Sequence, residues 1–311
     1  MKKEIHQKII EKIRGKTPIS LRQKIGPILA YAYYFDRLYV RPNTKKPNIL
    51  SIEETIDYIL EKNLSVIRFG DGEISLIDGL DLPFQKKNLE LAEKLELIIK
   101  SKDDRLLICI PGMWGNLNIF ADYAYHFIMH HMYRYNHVWA KLLSYEMLYG
   151  DTNVTRHYLA YKNKKDASRL FRKIFTIWEG KDAVLIEGSK SRLGVGNDMF
   201  DNAKSLRRIL CPPENAFSKY EEIKKGALKV GKENLILLSL GPTAKVLAYD
   251  LFLAGYRVVD IGHIDMEYEM FLRKETKQVK VPHKYFNEIN ERNPVDCNDE
   301  KYVSQILTTI E

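Results

Sequence analysis

Cysteine is scarce in this 311-residue chain: Cys109, Cys211 and Cys297 are the three, far apart and never in a Cys-x-x-Cys pair. Their scarcity argues against a disulfide framework or a thiolate zinc site and fits a reducing cytoplasm. Membrane-spanning runs are missing as well. The apolar stretch from Ile25 to Phe35 is eleven residues long and broken by Gly26 and Pro27, whereas spanning a bilayer takes about 20. The opening MKKEIHQKII alternates charge with Ile and has no apolar core or small-residue cleavage site, so it does not read as a signal peptide. Internal repeats, low-complexity tracts, a Walker A loop and a complete Gly-x-Gly-x-x-Gly are also lacking.

Charge is present but unevenly placed. The chain carries a formal +8. Residues 1–46 hold twelve Lys/Arg against three acids, a net +9, which leaves −1 for the remainder. A near-neutral body argues against nucleic acid as the partner, because a nucleic-acid surface needs a basic stripe of its own. The arm combines its cations with Tyr31, Tyr33, Tyr34, Phe35 and Tyr39. Basic residues with aromatics suit peripheral contact with an anionic membrane surface, and packing on the body or oligomerisation would use them equally well. The proline-bounded stretch Arg41–Pro47 reads as a linker, dividing the chain into an arm (1–46) and a body (47–311).

In the body, short apolar runs alternate with helical patterns. Ser51 and Glu54 have capping-box spacing ahead of a helix with Ile52, Ile56, Ile59 and Leu60 on one face. Strands are predicted at 65–69, 105–110, 183–187, 207–211, 235–240 and 257–261. Helices are predicted at 88–100, 166–178, 218–230 and 242–254, with a long helical region over about 118–149. This alternation predicts an α/β fold, a Rossmann-like, mostly parallel sheet with helices on both faces and a basic helical arm in front. Ligands of such sheets sit beyond the carboxyl ends of the strands. Four turns are therefore the places to look.

Arg68-Phe-Gly-Asp71-Gly72-Glu73 sets two carboxylates two residues apart in a glycine-permitted turn. They could converge on one hard divalent cation, with Arg68 as a phosphate donor, or form only a solvated turn. Glu187 to Asp198 is a long Gly/Ser loop with Lys190 and Arg192, suited to cradling phosphate or to being a plain surface loop. Gly241-Pro-Thr243-Ala is a strand-to-helix turn, an anion site if its N–H groups are accessible. Asp260-Ile-Gly-His263-Ile-Asp265-Met-Glu267-Tyr-Glu269 packs ionisable groups after a strand end, as a base, a metal ligand or a charged helix start. The histidines at 126, 130, 131 and 137, and Trp114, read as packing or surface residues.

Taken together and in this order, Arg68–Glu73, Ser191–Asp198, Gly241–Ala244 and Asp260–Glu269 resemble the GT-D fold glycosyltransferases, a bacterial family long catalogued as a domain of unknown function. The resemblance runs from about Ser51 to the C-terminus and leaves out the arm. It implies transfer of a sugar from a nucleotide-sugar, a UDP-sugar, to a glycan, glycoprotein or lipid-linked acceptor in surface-glycan assembly. The location implied is cytoplasmic, at the inner face of the membrane if the arm binds there. Mn²⁺ or Mg²⁺ would be held by Asp71 and Glu73, with His263 a further metal contact. Arg68, Gly72, Ser191, Arg192, Gly194, Asn197, Asp198, Gly241 and Thr243 would bind the donor. Asp265 and Glu267 would join Asp71 and Glu73 in catalysis, with Asp265, Glu267 and Glu269 as candidate bases. A nucleotide-sugar or phosphoester hydrolase and a non-catalytic nucleotide-binding module are the competing classes.

Overall fold

The computed structural model describes residues 46–286 and 294–311. The arm as far as residue 45, with every reading placed on it, lies outside them.

Nine strands form one sheet: β1 (Asn48–Ile49), β2 (Ser65–Arg68), β3 (Leu106–Ile110), β4 (Leu148–Asp151), β5 (Asp182–Gly188), β6 (Ser205–Cys211), β7 (Leu235–Ser239), β8 (Val258–Asp260) and β9 (Ile306–Thr309). Their order is β1-β4-β3-β2-β8-β7-β5-β6-β9, and every pairing is parallel. The central strands are apolar on both faces, as a doubly covered parallel sheet requires. Val184 and Ile186 of β5 and Ile236 and Leu238 of β7 enter one core, while Ala183, Leu185, Leu235 and Leu237 enter the other.

The first core is covered by α2 (Asp71–Ile77), α3 (Leu89–Ile99), α4 (Asp122–Leu142), α6 (Tyr220–Ala227) and α7 (Gly241–Leu253). The second is covered by α1 (Ile52–Lys62), α5 (Ala167–Phe175) and α8 (Ile264–Leu272). A short α9 (Glu300–Ser304) precedes β9. The capping box at Ser51 forms as its spacing predicts: Glu54 N–H donates to Ser51 Oγ at 3.3 Å, and Ser51 N–H donates to Glu54 Oε2 at 2.8 Å.

Three strands go beyond the sequence reading. The long helical region over 118–149 ends at Leu142, and its tail is the four-residue strand β4; β1 and β9 are short strands at the sheet edges. Gly150 belongs in β4 for a packing reason. A Cβ there would lie 2.6 Å from Cys109 Sγ and 2.9 Å from Thr55 Cγ2.

The order of connections positions the site. Strands β2, β8, β7 and β5 are neighbours. The chain leaves β2 and β7 for the first face, through α2 and α7. It leaves β8 for the second face through α8, and β5 through a loop whose Leu193, Met199 and Phe200 lie in the second core. Connections that part to opposite faces open a crevice above the strand ends.

Candidate active site

A cleft of ≈ 620 Å³ occupies this crevice. Three of the four turns line it: Arg68 and Gly70–Glu73 after β2, Gly241 and Pro242 after β7, and Gly262, His263 and Glu267 after β8. The cleft is also lined by aromatic side chains, Phe120 with Tyr123 and Phe127 of α4, the last two each 52% exposed.

The floor is a chain of buried ion pairs. Arg68 Nη2 lies 3.2 Å from Asp260 Oδ1, and Lys245 Nζ lies 3.1 Å from Asp260 Oδ2 and 3.2 Å from Glu73 Oε1. Burial pushes the Asp260 carboxyl upward, but Arg68 and Lys245 outweigh it and hold the group below its ordinary range. Arg68 is largely committed: Nε donates to Asp260 O at 2.8 Å, and Nη1 donates to Thr155 Oγ1 at 2.5 Å and to Thr152 O at 3.2 Å. It ties β2 to β8 and to the Thr152–Thr155 turn that follows β4 at the floor of the cleft, so most of its donors are already engaged. Gly262 makes room for it. The backbone there has φ +47, and a Cβ would fall 1.9 Å from Arg68 Nη2.

Asp71 and Glu73 begin α2. Asp71 is exposed, whereas Glu73 is buried and accepts the Gly70 N–H on Oε2 at 2.8 Å while Oε1 faces Lys245. Among the described residues, no group of three or more His, Cys, Asp or Glu side chains could hold a metal ion. His263 lines the same cleft without completing a three-ligand set. A hard cation that brings water and phosphate oxygens needs only one or two protein carboxylates; Asp71 offers an exposed one, while both Glu73 oxygens are engaged, by the Gly70 N–H and by Lys245.

The loop after β5 behaves differently. Ser191 lines a smaller cavity of ≈ 30 Å³ next to the cleft, and Arg192, Gly194, Asn197 and Asp198 line neither. Arg192, at φ 51, donates from Nη1 to His283 O at 2.8 Å and to Val295 O at 2.7 Å. Asn197 Nδ2 donates to Asp265 Oδ1 and Glu269 Oε1, both at 2.8 Å. Asp198 accepts from the Tyr268 hydroxyl at 2.7 Å. The loop is clasped to α8: Arg192 and Asn197 spend their side chains on partners within the protein, while Asp198 is exposed and Ser191 borders the small cavity beside the cleft. A buried Glu187–Arg208 pair holds its base, with Leu193 N–H on Glu187 Oε2 at 2.8 Å.

Asp265 belongs to this clasp. It is 1% exposed, with Lys284 Nζ at 2.7 Å and Gly194 N–H at 2.9 Å, and it does not line the cleft. That arrangement disfavours it as a base for an incoming hydroxyl. Glu267 does line the cleft, where its Oε1 accepts the N–H groups of Tyr158 and Leu159, each at 2.7 Å. Thr243 is fully buried beside Gln85, its Oγ1 3.4 Å from Gln85 Oε1, so Gly241 and Pro242 are the part of that turn that reaches the cleft.

His131 accepts from Trp139 Nε1 at 2.9 Å, and burial pushes its pKa down to about 4, so it is a neutral packing group. Trp114 meets Trp139 edge to face at 5.7 Å, also in the core. Lys245 and Ser239 were not singled out from sequence. The only available signal for Lys245 was one cation within an otherwise apolar helix start.

The comparisons agree with this architecture. Residues 66–289 match the model of the glycosyltransferase GT-D fold, and the chain belongs to that family. It is 39% identical over 86% of its length to a Streptococcus gordonii protein named "Probable glycosyl transferase Gly", and 40% identical over 88% to "Glycosyltransferase GlyD" of Streptococcus pneumoniae serotype 4. It spans 40% and 34% of those two relatives' lengths. A solved structure described as the highly conserved domain of unknown function 1792 with a distinct glycosyltransferase fold superposes with a TM-score of 0.83 at 36% identity, covering 91% of this chain and 100% of that one.

Proposed function

We propose that the chain transfers a sugar from a nucleoside-diphosphate sugar, a UDP-sugar, to a glycan, glycoprotein or lipid-linked acceptor. One observation carries the reading. An exposed carboxylate on a β2 turn and the start of α7 face one cleft, at the strand ends where open parallel sheets bind ligands. Transfer breaks the bond between the anomeric carbon and the diphosphate, and negative charge grows on the leaving oxygen. Mn²⁺ or Mg²⁺ held by Asp71 and Glu73 would neutralise part of that charge.

The protein's own groups do the rest. The dipole of the thirteen-residue α7 favours an anion at Gly241. Lys245 adds a fixed positive charge at the base of the cleft and holds Glu73 in place. Glu267 would take the proton of the acceptor hydroxyl; its Oε1 is held by the Tyr158 and Leu159 N–H groups. The wall of Tyr123 and Phe127 offers flat apolar faces to an acceptor sugar. Among the described residues no helix is long and apolar enough to cross a membrane. A cytoplasmic location, with the basic arm against the inner membrane face, belongs to the same proposal.

The test is a panel of nucleotide-sugars with Mn²⁺, scored by released nucleoside diphosphate with and without acceptor. Acceptor-dependent release, lost in Asp71→Asn, supports transfer. Full-rate release without acceptor makes the protein a hydrolase. Undiminished turnover by a folded Asp71→Asn protein removes the site assignment.

A further inference from the structure

Strand β7 ends at Ser239, two residues before α7 begins. The residue is 4% exposed, and its Oγ has no hydrogen-bond partner among the described residues. Buried hydroxyls are nearly always paired, so an unpaired one calls for an explanation. Its position supplies one. Ser239 lines both the main cleft and the smaller cavity, together with Gly241, Pro242 and His263.

The adjoining helix start is also prepared for an anion. No side chain caps α7, a feature it shares with most of the helices, and its first turn contains no acidic residue, whereas the uncapped α2, α4, α6 and α8 each carry one or two. The first-turn N–H groups of a helix have no partners within it. The nearby carboxylates, Glu73 and Asp260, are both paired with Lys245, so they oppose an incoming anion less. Glycine is required at 241 by the backbone, at φ +53, and by the Phe84 ring, which would lie 3.1 Å from a Cβ there.

We infer that Ser239 is a ligand-binding residue whose hydroxyl donates to a phosphoryl oxygen of the donor's diphosphate as that group rests on the first turn of α7. The inference depends on the nucleotide-sugar reading above and adds the residue and the point of contact. A serine suits the position because its hydroxyl can donate to the anion and carries no charge to repel it.

The test is titration calorimetry of the full chain with UDP, GDP, ADP and dTDP in the presence of Mn²⁺, on wild type and Ser239→Ala, with thermal melting of both proteins without ligand. Loss of a hydrogen bond to a charged group should weaken binding of the preferred diphosphate about tenfold. Because the hydroxyl has no partner in the unliganded protein, the variant should melt at the wild-type temperature or above it. A loss of affinity below about threefold would overturn the Ser239 assignment and leave the nucleotide-sugar reading intact. Weakened binding in a variant that also melts several degrees lower would assign the hydroxyl to folding and overturn it equally. A wild type that binds none of the four diphosphates would overturn both readings.

Discussion

The turn after β2 and the loop after β5 look alike in sequence. Each follows a buried parallel strand, each is glycine-bearing, and each mixes acids with cations. In the folded chain they have opposite characters. The β2 turn opens Asp71 onto the cleft, while the β5 loop is closed against α8 by Asp265, Glu269, Asn197 and Lys284. A polar turn at a strand end is thus only a candidate site. It becomes one when its neighbours leave its polar groups facing solvent.

The largest effect should come from the closed side. Lys284→Met strips the shared cation from two buried carboxylates, and breaking a buried pair in this way costs about 3–5 kcal/mol. Denaturant unfolding measures it. A loss below about 1 kcal/mol would show that the loop is not clasped as described. The open side should respond in the reverse sense. Asp71→Asn is expected to lower turnover by about 100-fold or more while shifting unfolding by less than about 0.5 kcal/mol, read from steady-state kinetics beside the same unfolding curves.

How far these sides could be told apart from sequence depends on where the deciding partners lie. The sheet was largely legible because strands such as Val184–Ile186 are apolar throughout and bounded by Gly or Pro. Strand β4 was not, since Leu148-Tyr-Gly-Asp151 is too short to show a period and follows a helix rich in similar residues. The Asp71 turn was legible from its strand and its two glycines. The partners of the β5 loop were not legible, because Arg192 is bound by His283 and Asp198 by Tyr268, 91 and 70 residues away, and no local pattern reports that. Ser239 and Lys245 were silent for the same reason: their meaning lies in what faces them.

Proton linkage sharpens the contrast. On the closed side, burial raises Glu269, but Lys284, Asn197 and Arg273 outweigh it, and its carboxyl is held below the ordinary Glu value. Its contribution to stability is present above that ordinary value and is lost as pH falls through the lowered one. Beneath the Thr152–Asn153 rim of the cleft, burial pushes Asp151 up to about 7 despite hydrogen bonds from the Asn153 and Gly112 N–H groups. The native state therefore binds the Asp151 proton more tightly, and this contribution is full in acid and is lost as pH rises from about 4 through about 7. Unfolding free energies of Glu269→Gln and Asp151→Asn across pH 3–8 should lose slopes of opposite sign. Parallel slopes in the two variants would contradict the assignment.

The smallest effect belongs to the aromatic wall. Tyr123→Ala and Phe127→Ala remove exposed rings and should raise the acceptor KM about threefold, leaving donor KM and melting temperature unchanged. An equal rise in donor KM would place the donor against that wall instead.

The most direct measurement is a crystal structure of the full chain with UDP and Mn²⁺ bound. The account predicts the diphosphate in the cleft between the Asp71 turn and the first turn of α7, within hydrogen-bond reach of Ser239. Diphosphate density held by an opened Ser191–Asp198 loop, away from Asp71, would contradict it.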